Sequence, residues 1–531
     1  MNLKYFLLFL FFISLVFIPI SCDIKNPVEG LTVRVKNIPR TTMVRVEFIE
    51  QNTGLLVTTP FTIRFDGRNK NDVISDVNEP ITQLTVKNGV AYFAIKDNIH
   101  PTPNSPVEIV VIVNSPQHLT TSQKLIISEK GTNGFVINML KLSGTLPNGI
   151  TTREQSFGNI ATSSGITSIV QANSGGTLSA RLIVNPGTIL RDANGNVLTG
   201  NVSTQITYFD ATRSSAIPSF PGGFLVNTNT SGNGGFVTAG FASINMFVGN
   251  TPVETFSQPV TIQIDVNNNV RNPITGTNVR PGDQIPMWSY NENNGTWRFE
   301  GNYTVQSRIS SGGSEELFVE KNDVTHLSWY NLDWFFNSCA ISSTINLVGG
   351  CWNFLYWLVE YQNGQGYIGS GYVTSSDPSL TFIYAPQNIP VRVLVFTSYL
   401  NLWNYCYTGN LSLAVGSLNI NNLCQGPTQI FNLQVSTNVS GQNINVTVRG
   451  VCPNGNILDQ GTLDIEIFKD GFWQYAGRII NGQITLKCLQ IGQTYQFRAY
   501  YNGQYYTQSA TITSANMLVE IPLPGDISFC N

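Results

Sequence analysis

The residues with the strongest potential for chemistry are the three histidines, and their spacing argues against a local site. His100, His118 and His326 are far apart in the chain, so no two of them can bind one metal ion from a single turn or hairpin. The sequence also lacks the Gly-x-Ser-x-Gly, His-Glu-x-x-His and Gly-Lys motifs of hydrolases, zinc proteases and phosphate-binding loops. We therefore predict no enzyme activity, no metal site and no cofactor, while a site assembled from distant segments stays open.

Two other patterns resemble binding loops but are better interpreted as turns. Gly364, Gly366 and Gly369 match the spacing of a dinucleotide-binding loop, which works only where a strand leads into a helix. Here predicted strands lie on both sides, so the segment is interpreted as a hairpin. Asp192 and Asn194 supply alternating oxygen atoms, as a calcium loop does, but the twelve-residue spacing of an EF-hand is absent. An Asn-Gly turn explains the same residues.

Aromatic side chains are the best lead for ligand binding, because sugars stack their apolar faces on exposed rings while amides and carboxylates bind their hydroxyls. Further aromatic groups occur at residues 352–357 and 403–405. The alternative is that alternate strand positions simply face the core. Asn502-Gly503 predicts a hairpin tip, and we expect each tyrosine pair beside it to point one ring outward. The candidate ligand-binding residues are Trp288, Trp297, Tyr500, Tyr501, Tyr505 and Tyr506.

The eight cysteines are unevenly distributed, since Cys22 stands alone and the other seven begin at Cys339. No Cys-x-x-Cys or Cys/His ligand pair occurs among them. In an exported chain such cysteines are expected to form structural disulfides. If Cys22 carries a lipid, seven thiols remain, and one of them must stay free or pair between chains. The sequence does not give the connectivity.

The first residues predict export. Lys4 is followed by an apolar run at residues 5–20 (YFLLFLFFISLVFIPI). This run is shorter than the about 20 apolar residues that a membrane-spanning helix needs, and Pro19 interrupts it. We interpret residues 1–21 as a signal peptide that is removed from the mature protein.

The end of this run also predicts a lipid anchor. Ser21 directly before Cys22 resembles a bacterial lipobox, which implies that Cys22 takes a diacylglycerol and that residues 22–27 form a tether. Pro19 departs from the leucine usual at that position, a departure found in Bacteroidota-type lipoproteins, and an ordinary disulfide role for Cys22 is the alternative. Two or three acyl chains would hold the protein on the membrane. The predicted location is the cell envelope, at the outer membrane or cell surface.

Composition supports an extracellular protein and excludes nucleic acid as a partner. Only 11% of the 531 residues are charged and the net charge is −3, whereas soluble proteins carry roughly 25% charged residues. Nucleic-acid binding would need a basic stripe, and the sequence contains none. Solubility must therefore come from uncharged polar residues, as in many extracellular β-sheet proteins.

Short alternating segments bounded by turn residues predict an all-β fold of tandem β-sandwiches, of the immunoglobulin-like or transthyretin-like kind. Examples are residues 43–49 (MVRVEFI), 107–113 (VEIVVIV) and 463–468 (LDIEIF). Helical periodicity is nearly absent. At roughly 100 to 150 residues per domain, a chain of this length should hold several.

Composition shifts divide the predicted mature chain into four modules after the tether. The N-terminal module is a β-sandwich at residues 28–142, and the central module is a β-rich domain at residues 143–333. The third module is a cysteine-containing β-sandwich at residues 334–426. The C-terminal module is a β-sandwich at residues 427–531. The Asn-Gly dipeptides, among them Asn133-Gly134 and Asn481-Gly482, predict hairpin turns within these modules.

The C-terminal module resembles the carboxypeptidase regulatory-like, or transthyretin-like, β-sandwich of Bacteroidota surface proteins. Its opening pattern is a Val-x-Gly strand, a polar turn and a small-residue restart, and the matching residues are Val448, Gly450, Asn454, Gly455 and Gly461. That resemblance implies a rigid accessory or linker module. Short segments of the central module, at residues 185–210, 281–299 and 325–333, resemble the middle domain of cartilage intermediate layer proteins, which implies a non-enzymatic extracellular module.

These observations favour a non-enzymatic surface lipoprotein that serves as a scaffold or adhesion module, attached to the membrane by its lipid and bound to another envelope protein. The alternative is a glycan-binding lipoprotein of a polysaccharide-uptake system. A third possibility, an enzyme with a cleft between modules, would require carboxylates or a histidine that converge from distant segments.

Overall fold

The structure, a computed structural model, confirms the predicted all-β fold. None of the helices that it describes is long and apolar enough to cross a membrane. Residues 1–33, including the predicted signal peptide and Cys22, lie outside the described residues. The structure describes residues 34–35, 40–158, 166–171, 179–228, 232–292, 294–310, 312–339, 343–424, 430–437, 440–458, 462–469, 471–501, 504–522 and 530.

The strands are short and follow one another closely. The N-terminal module contains β1 (Arg34–Val35), β2 (Thr42–Glu50), β3 (Leu55–Leu56), β4 (Phe61–Asp66), β5 (Val73–Ile74), β6 (Gln83–Val86), β7 (Val90–Ile95), β8 (Val107–Asn114), β9 (Thr121–Ile127) and β10 (Gly131–Met139). The central module contains β11 (Ile150–Gly158), β12 (Ile166–Gln171), β13 (Ser179–Val184), β14 (Leu190–Arg191), β15 (Val202–Phe209), β16 (Leu225–Thr228), β17 (Gly232–Val248), β18 (Thr251–Pro252), β19 (Thr255–Val266), β20 (Gln284–Asn291), β21 (Thr296–Thr304), β22 (Gln306–Ile309), β23 (Glu315–His326) and β24 (Trp329–Asn337).

The second half of the chain continues in the same way and adds one α-helix. The third module and the segment after it contain β25 (Ser343–Val348), β26 (Phe354–Tyr361), β27 (Tyr367–Thr374), β28 (Ser379–Phe382), β29 (Val391–Phe396), α1 (Tyr399–Thr408), β30 (Gly416–Ile420) and β31 (Ile430–Gln434). The C-terminal module contains β32 (Gln442–Val451), β33 (Ile457–Leu458), β34 (Leu463–Lys469), β35 (Phe472–Ile479), β36 (Gln483–Leu489), β37 (Thr494–Tyr501), β38 (Gln504–Thr511) and β39 (Asn516–Pro522). Short 3-10 turns lie at Lys70–Asp72, Ile217–Ser219 and Leu411–Leu413.

The N-terminal module packs two sheets around one apolar core. One sheet has the order β6-β4-β8-β9, and β4 alternates buried and half-buried residues as a sandwich strand does. The other sheet has the order β30-β29-β26-β27-β10-β2-β7-β5, with β3 beside β2. Four strands of that sheet come from the third module, so one sheet extends across both modules. The predicted module boundaries stay a prediction.

The central module contains an eight-stranded sheet, β11-β15-β17-β16-β21-β20-β24 with β18 beside β17, and a six-stranded sheet, β12-β13-β19-β23-β22 with β14 beside β19. Aromatic side chains fill its core, which is continuous with the core of the third module. The remaining sheet near the third module is β28-β25-β31.

The C-terminal module pairs the sheet β35-β34-β37-β38 with the sheet β1-β33-β32-β36, where β39 lies beside β32. Its apolar core is separate from that of the other modules. The strand β1 comes from the other end of the chain and pairs in parallel with β33. The segment that follows the predicted tether is therefore attached to the C-terminal module.

One of the predicted Asn-Gly turns is confirmed and another is wrong. Asn481-Gly482 has positive φ at both residues, 51° and 74°, as a type I′ turn requires. The prediction of a turn at Asn133-Gly134 is wrong, because both residues lie inside β10. There Gly134 allows β10 to approach the third module, since a Cβ at this position would meet the ring of Tyr372 at 2.1 Å.

The helix α1 was not predicted. Its N-cap is Ser398, whose side chain accepts a hydrogen bond from the Asn401 backbone N–H, and it ends at Gly409 with a left-handed backbone. Both are standard helix-terminus residues. The ten residues between them are rich in aromatic side chains, which favour strands, and the sequence therefore did not predict a helix here. Trp403 and Tyr405, noted as an aromatic group, lie on this helix.

The cysteines confirm the prediction of structural disulfides with one thiol left over. The pairs are Cys339–Cys424, Cys351–Cys488 and Cys452–Cys530. Cys406 is the free cysteine of the described residues, and it is buried on α1. Burial raises the pKa of its thiol to about 12, so this cysteine is inert.

Candidate functional site

The predicted ligand-binding tryptophans are core residues. Trp288 and Trp297 are 3% and 2% exposed, and each ring centroid lies 5.0 Å from that of Phe236. The Trp288 indole Nε1 donates to the backbone carbonyl of Asp333 at 3.1 Å. The expectation that these rings are available to a ligand is therefore corrected: alternate positions of β20 and β21 face the interior of the central module.

The tyrosines at the β37–β38 hairpin contact another module. Tyr500 pairs with Tyr505 across the two strands, and the Tyr500 ring stacks on Tyr92 of β7 with centroids 4.7 Å apart. Tyr506 packs partly against the core of the C-terminal module. The side chain of Tyr501 lies outside the described residues. Contrary to the expectation of a free surface, Tyr500 and Tyr505 face the N-terminal module.

This contact leads to a buried ionic cluster at the meeting point of three modules, which we call the Arg45 junction. Arg45 on β2 is 1% exposed. Its Nη1 donates to Oε1 of Glu47 at 2.6 Å, and its Nη2 donates to Oε1 of Glu466 on β34 at 2.7 Å. The Tyr92 hydroxyl also donates to that Glu466 oxygen at 2.9 Å. The N-terminal and C-terminal modules are thereby joined through fully buried charges.

The remaining oxygens of both carboxylates are bound as well. Arg498 on β37 donates from Nε to Oε2 of Glu466 at 2.5 Å. The Tyr356 hydroxyl, on β26 of the third module, donates to Oε2 of Glu47 at 2.9 Å. Burial by itself would raise the pKa of Glu466, but Arg45 and Arg498 outweigh it and hold that pKa below its ordinary value. Each carboxylate in the Arg45 junction therefore has an arginine partner and accepts a further hydrogen bond from a tyrosine hydroxyl.

Rings of the third and C-terminal modules enclose the Arg45 guanidinium. The centroids of Tyr372 and Tyr475 lie 5.2 and 5.7 Å from the Arg45 Cζ, within the range of cation–π attraction. The Tyr475 hydroxyl donates to Oδ1 of Asp464 at 2.5 Å, and the Thr132 hydroxyl donates to the same atom at 2.7 Å. Thr132 lies on β10, so this second carboxylate also bridges two modules.

A second connection fixes the third module to the C-terminal module. The disulfide Cys351–Cys488 joins them covalently. Beside it, the backbone N–H of Lys487 donates to Oδ1 of Asn353 at 2.5 Å, and the Asn353 amide donates in return to the Lys487 carbonyl. The Lys487 Nζ donates to the carbonyl of Ser375 at 2.9 Å. Covalent and polar contacts thus both cross this boundary.

The interface between the N-terminal and central modules uses uncharged groups instead. Gln51 at the end of β2 donates to the Ser215 carbonyl at 2.8 Å and accepts from the Ser219 hydroxyl at 2.6 Å. The backbone carbonyl of Gln51 accepts a hydrogen bond from the Trp403 indole at 2.8 Å. The hydroxyls of Ser122 and Tyr290 are 2.5 Å apart. All four modules therefore make specific contacts with their neighbours.

An open cleft of about 190 Å³, which we call the seam cleft, lies against the outer side of the Arg45 junction. Tyr372 and Tyr475 belong to both. The walls come from β9 and β10, from the segment that precedes β16, and from β26, β27 and β28. Residues of all four modules line the cleft. The Arg45 junction holds three of these modules, the N-terminal, third and C-terminal ones, in their relative positions.

The part of the chain that the structure describes includes all three histidines and most of the carboxylates. Within that part of the chain, no three His, Cys, Asp or Glu side chains could together hold a metal ion. His118 shares a 2.8 Å hydrogen bond with the Ser115 hydroxyl, and His326 ends β23 in the central module. Burial lowers the pKa of both histidines. Gly364 and its neighbours form the β26–β27 hairpin, as expected.

Sequence reasoning missed Arg45, Glu47 and Glu466, although it predicted their strands. In residues 43–49 and 463–468 these side chains alternate with apolar ones, a pattern that places them on a solvent face. The structure covers that face with another module, so β2 is buried at every residue except the last. The sequence feature that could have indicated this contact is the opposite charge of Arg45 and Glu466 on the polar faces of two predicted strands. A single sequence does not show that these two faces pack against each other.

Comparisons with known proteins give no family. No protein-family model matches the chain, and no curated protein matches it. Solved structures that it resembles include the major pilin subunit BcpA of Bacillus cereus, at 9% identity over 91% of this chain and 99% of that one, with a TM-score of 0.15. SpaD, the major pilin of Corynebacterium diphtheriae, matches at 8% identity over 92% and 98%, with a TM-score of 0.13.

The pilus protein RrgB of Streptococcus pneumoniae matches at 7% identity over 92% of this chain and 99% of that one, with a TM-score of 0.12. TM-scores this low mean that the chains do not superpose as whole molecules. The all-β architecture of this protein therefore rests on its own strand pairing, and its function is argued from its own residues.

Proposed function

We propose that this protein is a non-enzymatic, lipid-anchored surface protein whose modules form a rigid scaffold outside the cell. The predicted signal peptide at residues 1–21 supports export, and Cys22 is the proposed lipidation site. The three disulfides agree with export, because such bonds persist in oxidising compartments. The proposed location is the cell envelope, at the outer membrane or cell surface.

The observation that carries the scaffold proposal is the Arg45 junction. Modules joined by flexible linkers usually share polar, hydrated interfaces that permit motion. Here Arg45, Glu47 and Glu466 are each about 1% exposed and their partners come from three modules. This buried network is complete only in one arrangement of the modules, because the loss of one partner would leave a buried charge unpaired, at a cost of about 3–5 kcal/mol. A chain built this way holds a fixed shape.

The C-terminal module supports the same role. Val448 and Gly450 lie on β32, and Asn454-Gly455 form the turn that leads to β33, as the carboxypeptidase regulatory-like pattern requires; Gly461 lies outside the described residues. We propose that this module is a rigid accessory of that type and that the protein belongs to the Bacteroidota-type surface lipoproteins. Another envelope protein is the proposed partner.

Metabolic labelling with an alkyne fatty acid tests the anchor. The full-length protein should take up the label and fractionate with membranes, and Cys22→Ala should lose both properties. Cys406→Ala is the matched control, since it removes the other unpaired cysteine without touching the proposed site, and it should keep the label. Equal labelling of wild type and Cys22→Ala would overturn lipidation.

Small-angle X-ray scattering of the chain from residue 23 onward tests the rigid scaffold. One conformation should account for the scattering curve, and Arg45→Met should broaden the distribution of shapes. A wild-type curve that needs many module arrangements would contradict the scaffold proposal. The glycan-binding alternative would need an aromatic surface other than Trp288, Trp297, Tyr500 and Tyr505, whose rings lie in the core or against another module.

A further inference from the structure

The seam cleft contains a half-buried tryptophan laid over glycines. Trp357 on β26 lies opposite Gly371 on β27, and a Cβ at Gly371 would be 3.0 Å from its Cζ2. A Cβ at Gly369 would be 3.3 Å from its Cη2. Phe382 packs edge-on against the ring, with centroids 5.5 Å apart. The two glycines thus let the indole lie against the sheet, and Phe382 fixes its tilt.

Uncharged hydrogen-bonding groups surround this ring. The cleft is lined by hydroxyl and amide side chains from several strands. Asn133 donates its amide to the Glu129 carbonyl at 3.2 Å, which orients the side chain at the cleft wall. The uncharged polar residues of the lining include Gln123, Thr132, Asn133, Ser370, Thr374 and Thr381.

The charges at the cleft disfavour an anionic ligand. The lysine of the lining, Lys124, is already engaged, because its Nζ lies 2.5 Å from Oε2 of Glu108. Glu129 and Asp377 lie at the rim and are exposed. Carboxylates at a rim accept hydrogen bonds from ligand hydroxyls, whereas they repel phosphate, sulfate and uronate groups.

We propose that the seam cleft binds a neutral saccharide, with the Trp357 indole as the stacking surface and the hydroxyl and amide side chains around it as hydrogen-bond partners. An aromatic platform presents the face that the C–H groups of a sugar ring require, and the surrounding polar groups match its hydroxyls. Glu129 and Asp377 orient the sugar from the rim. This inference goes beyond the scaffold role and does not depend on the lipid anchor.

The test uses the full-length protein and immobilised neutral oligosaccharides of glucose, galactose, mannose and xylose, followed by isothermal titration calorimetry of those that bind. At least one neutral class should bind. Trp357→Ala should weaken that binding by about tenfold or more, as the loss of one stacking contact predicts. Asp377→Asn and Asn133→Ala should weaken it several-fold.

Two further variants provide a control outside the cleft and a second way to block the cleft. Trp403→Ala removes a half-buried tryptophan of α1 outside the cleft lining and should bind as wild type does. Ser370→Tyr fills the cleft while leaving Trp357 in place, and it should abolish binding even if Trp357→Ala fails to fold. The inference is overturned if no neutral oligosaccharide binds, if Ser370→Tyr still binds, or if only amino-sugar oligomers or basic peptides bind, since those would mark the rim carboxylates as a cation site.

Discussion

Glu466 and Asp333 are both buried carboxylates, but only Glu466 has cations beside it. Arg45 and Arg498 hold the pKa of Glu466 below its ordinary value against the effect of burial. Asp333 on β24 is 0% exposed, and burial raises its pKa well above the ordinary value. The polar neighbours of its carboxylate are the uncharged side chains of Thr238 and Asn331. Glu466 of the Arg45 junction and Asp333 of the central module are therefore buried in opposite ways.

Because of this difference, the stability of the two regions should respond to pH in opposite directions. A carboxylate with a lowered pKa adds stability above its unfolded pKa and loses it as the pH falls through the folded value. A carboxylate with a raised pKa does the reverse, since the folded state keeps the proton and stability declines as the pH rises. Acid should therefore weaken the Arg45 junction first, while alkali should weaken the central module first.

Removing the central cation of the Arg45 junction should have the largest effect. Arg45→Met leaves Glu47 buried without its cation and leaves Glu466 with Arg498 alone. We expect the free energy of unfolding to fall by about 3–5 kcal/mol, as for other broken buried ion pairs. Urea unfolding followed by tryptophan fluorescence measures this change.

The exposed pair of Arg449 and Glu520 on β32 and β39 provides the control. Arg449→Met should cost less than about 1 kcal/mol, because exposed ion pairs contribute little. The double variant Arg45→Met and Glu47→Leu should regain part of the lost stability, since it removes the carboxylate that Arg45→Met leaves unpaired while Glu466 keeps Arg498 as its cation. If Arg45→Met and Arg449→Met cost the same, Arg45 is not the buried centre described above.

The sequence predicted the positions of the strands better than it predicted which strands pair with one another. Strands such as 107–113 matched β8 almost to the residue, because alternation and β-branched content are local properties. The pairing of β10 with β27, and of β1 with β33, joins residues hundreds of positions apart in the chain, and no local pattern encodes it. The Arg45 junction and the seam cleft depend on those pairings, so neither could be predicted.

The covalent link of the third and C-terminal modules gives the next largest effect. The double variant Cys351→Ala and Cys488→Ala should lose about 2–4 kcal/mol, the usual contribution of a disulfide that closes a long loop. Hydrogen exchange should rise in β2 and β34, which meet at the Arg45 junction. It should not rise in the central module, since residues 143–333 contain no cysteine.

The disulfide Cys452–Cys530 is the matched control, because both of its cysteines belong to the C-terminal module. Replacing that pair with alanines should increase exchange in β32 and β33 and leave β2 protected. Equal loss of protection at β2 in both double variants would show that Cys351–Cys488 has no special part in holding the modules together.

The smallest predicted effect is a pH-dependent change in stability that distinguishes the central module from the Arg45 junction. Glu292, at the end of β20, accepts a hydrogen bond from the Trp329 indole, and burial raises its pKa from 4.5 to about 7. The folded state therefore binds the proton more tightly than the unfolded chain does. Stability from this group is complete below the unfolded pKa of 4.5 and is lost as the pH rises to about 7.

Glu292→Gln removes this loss, because the neutral amide oxygen still accepts from Trp329 and never ionises. The variant should exceed wild type in stability by about 1–2 kcal/mol at about pH 8 and should show no gain at about pH 4. Urea unfolding at both pH values measures the two differences. Glu520→Gln, at an exposed position of β39, should change stability by less than about 0.5 kcal/mol at either pH. A gain for Glu292→Gln that is equal at both pH values would mean that its carboxylate ionises in the folded protein as readily as in the unfolded chain, and the contrast with Glu466 would fail.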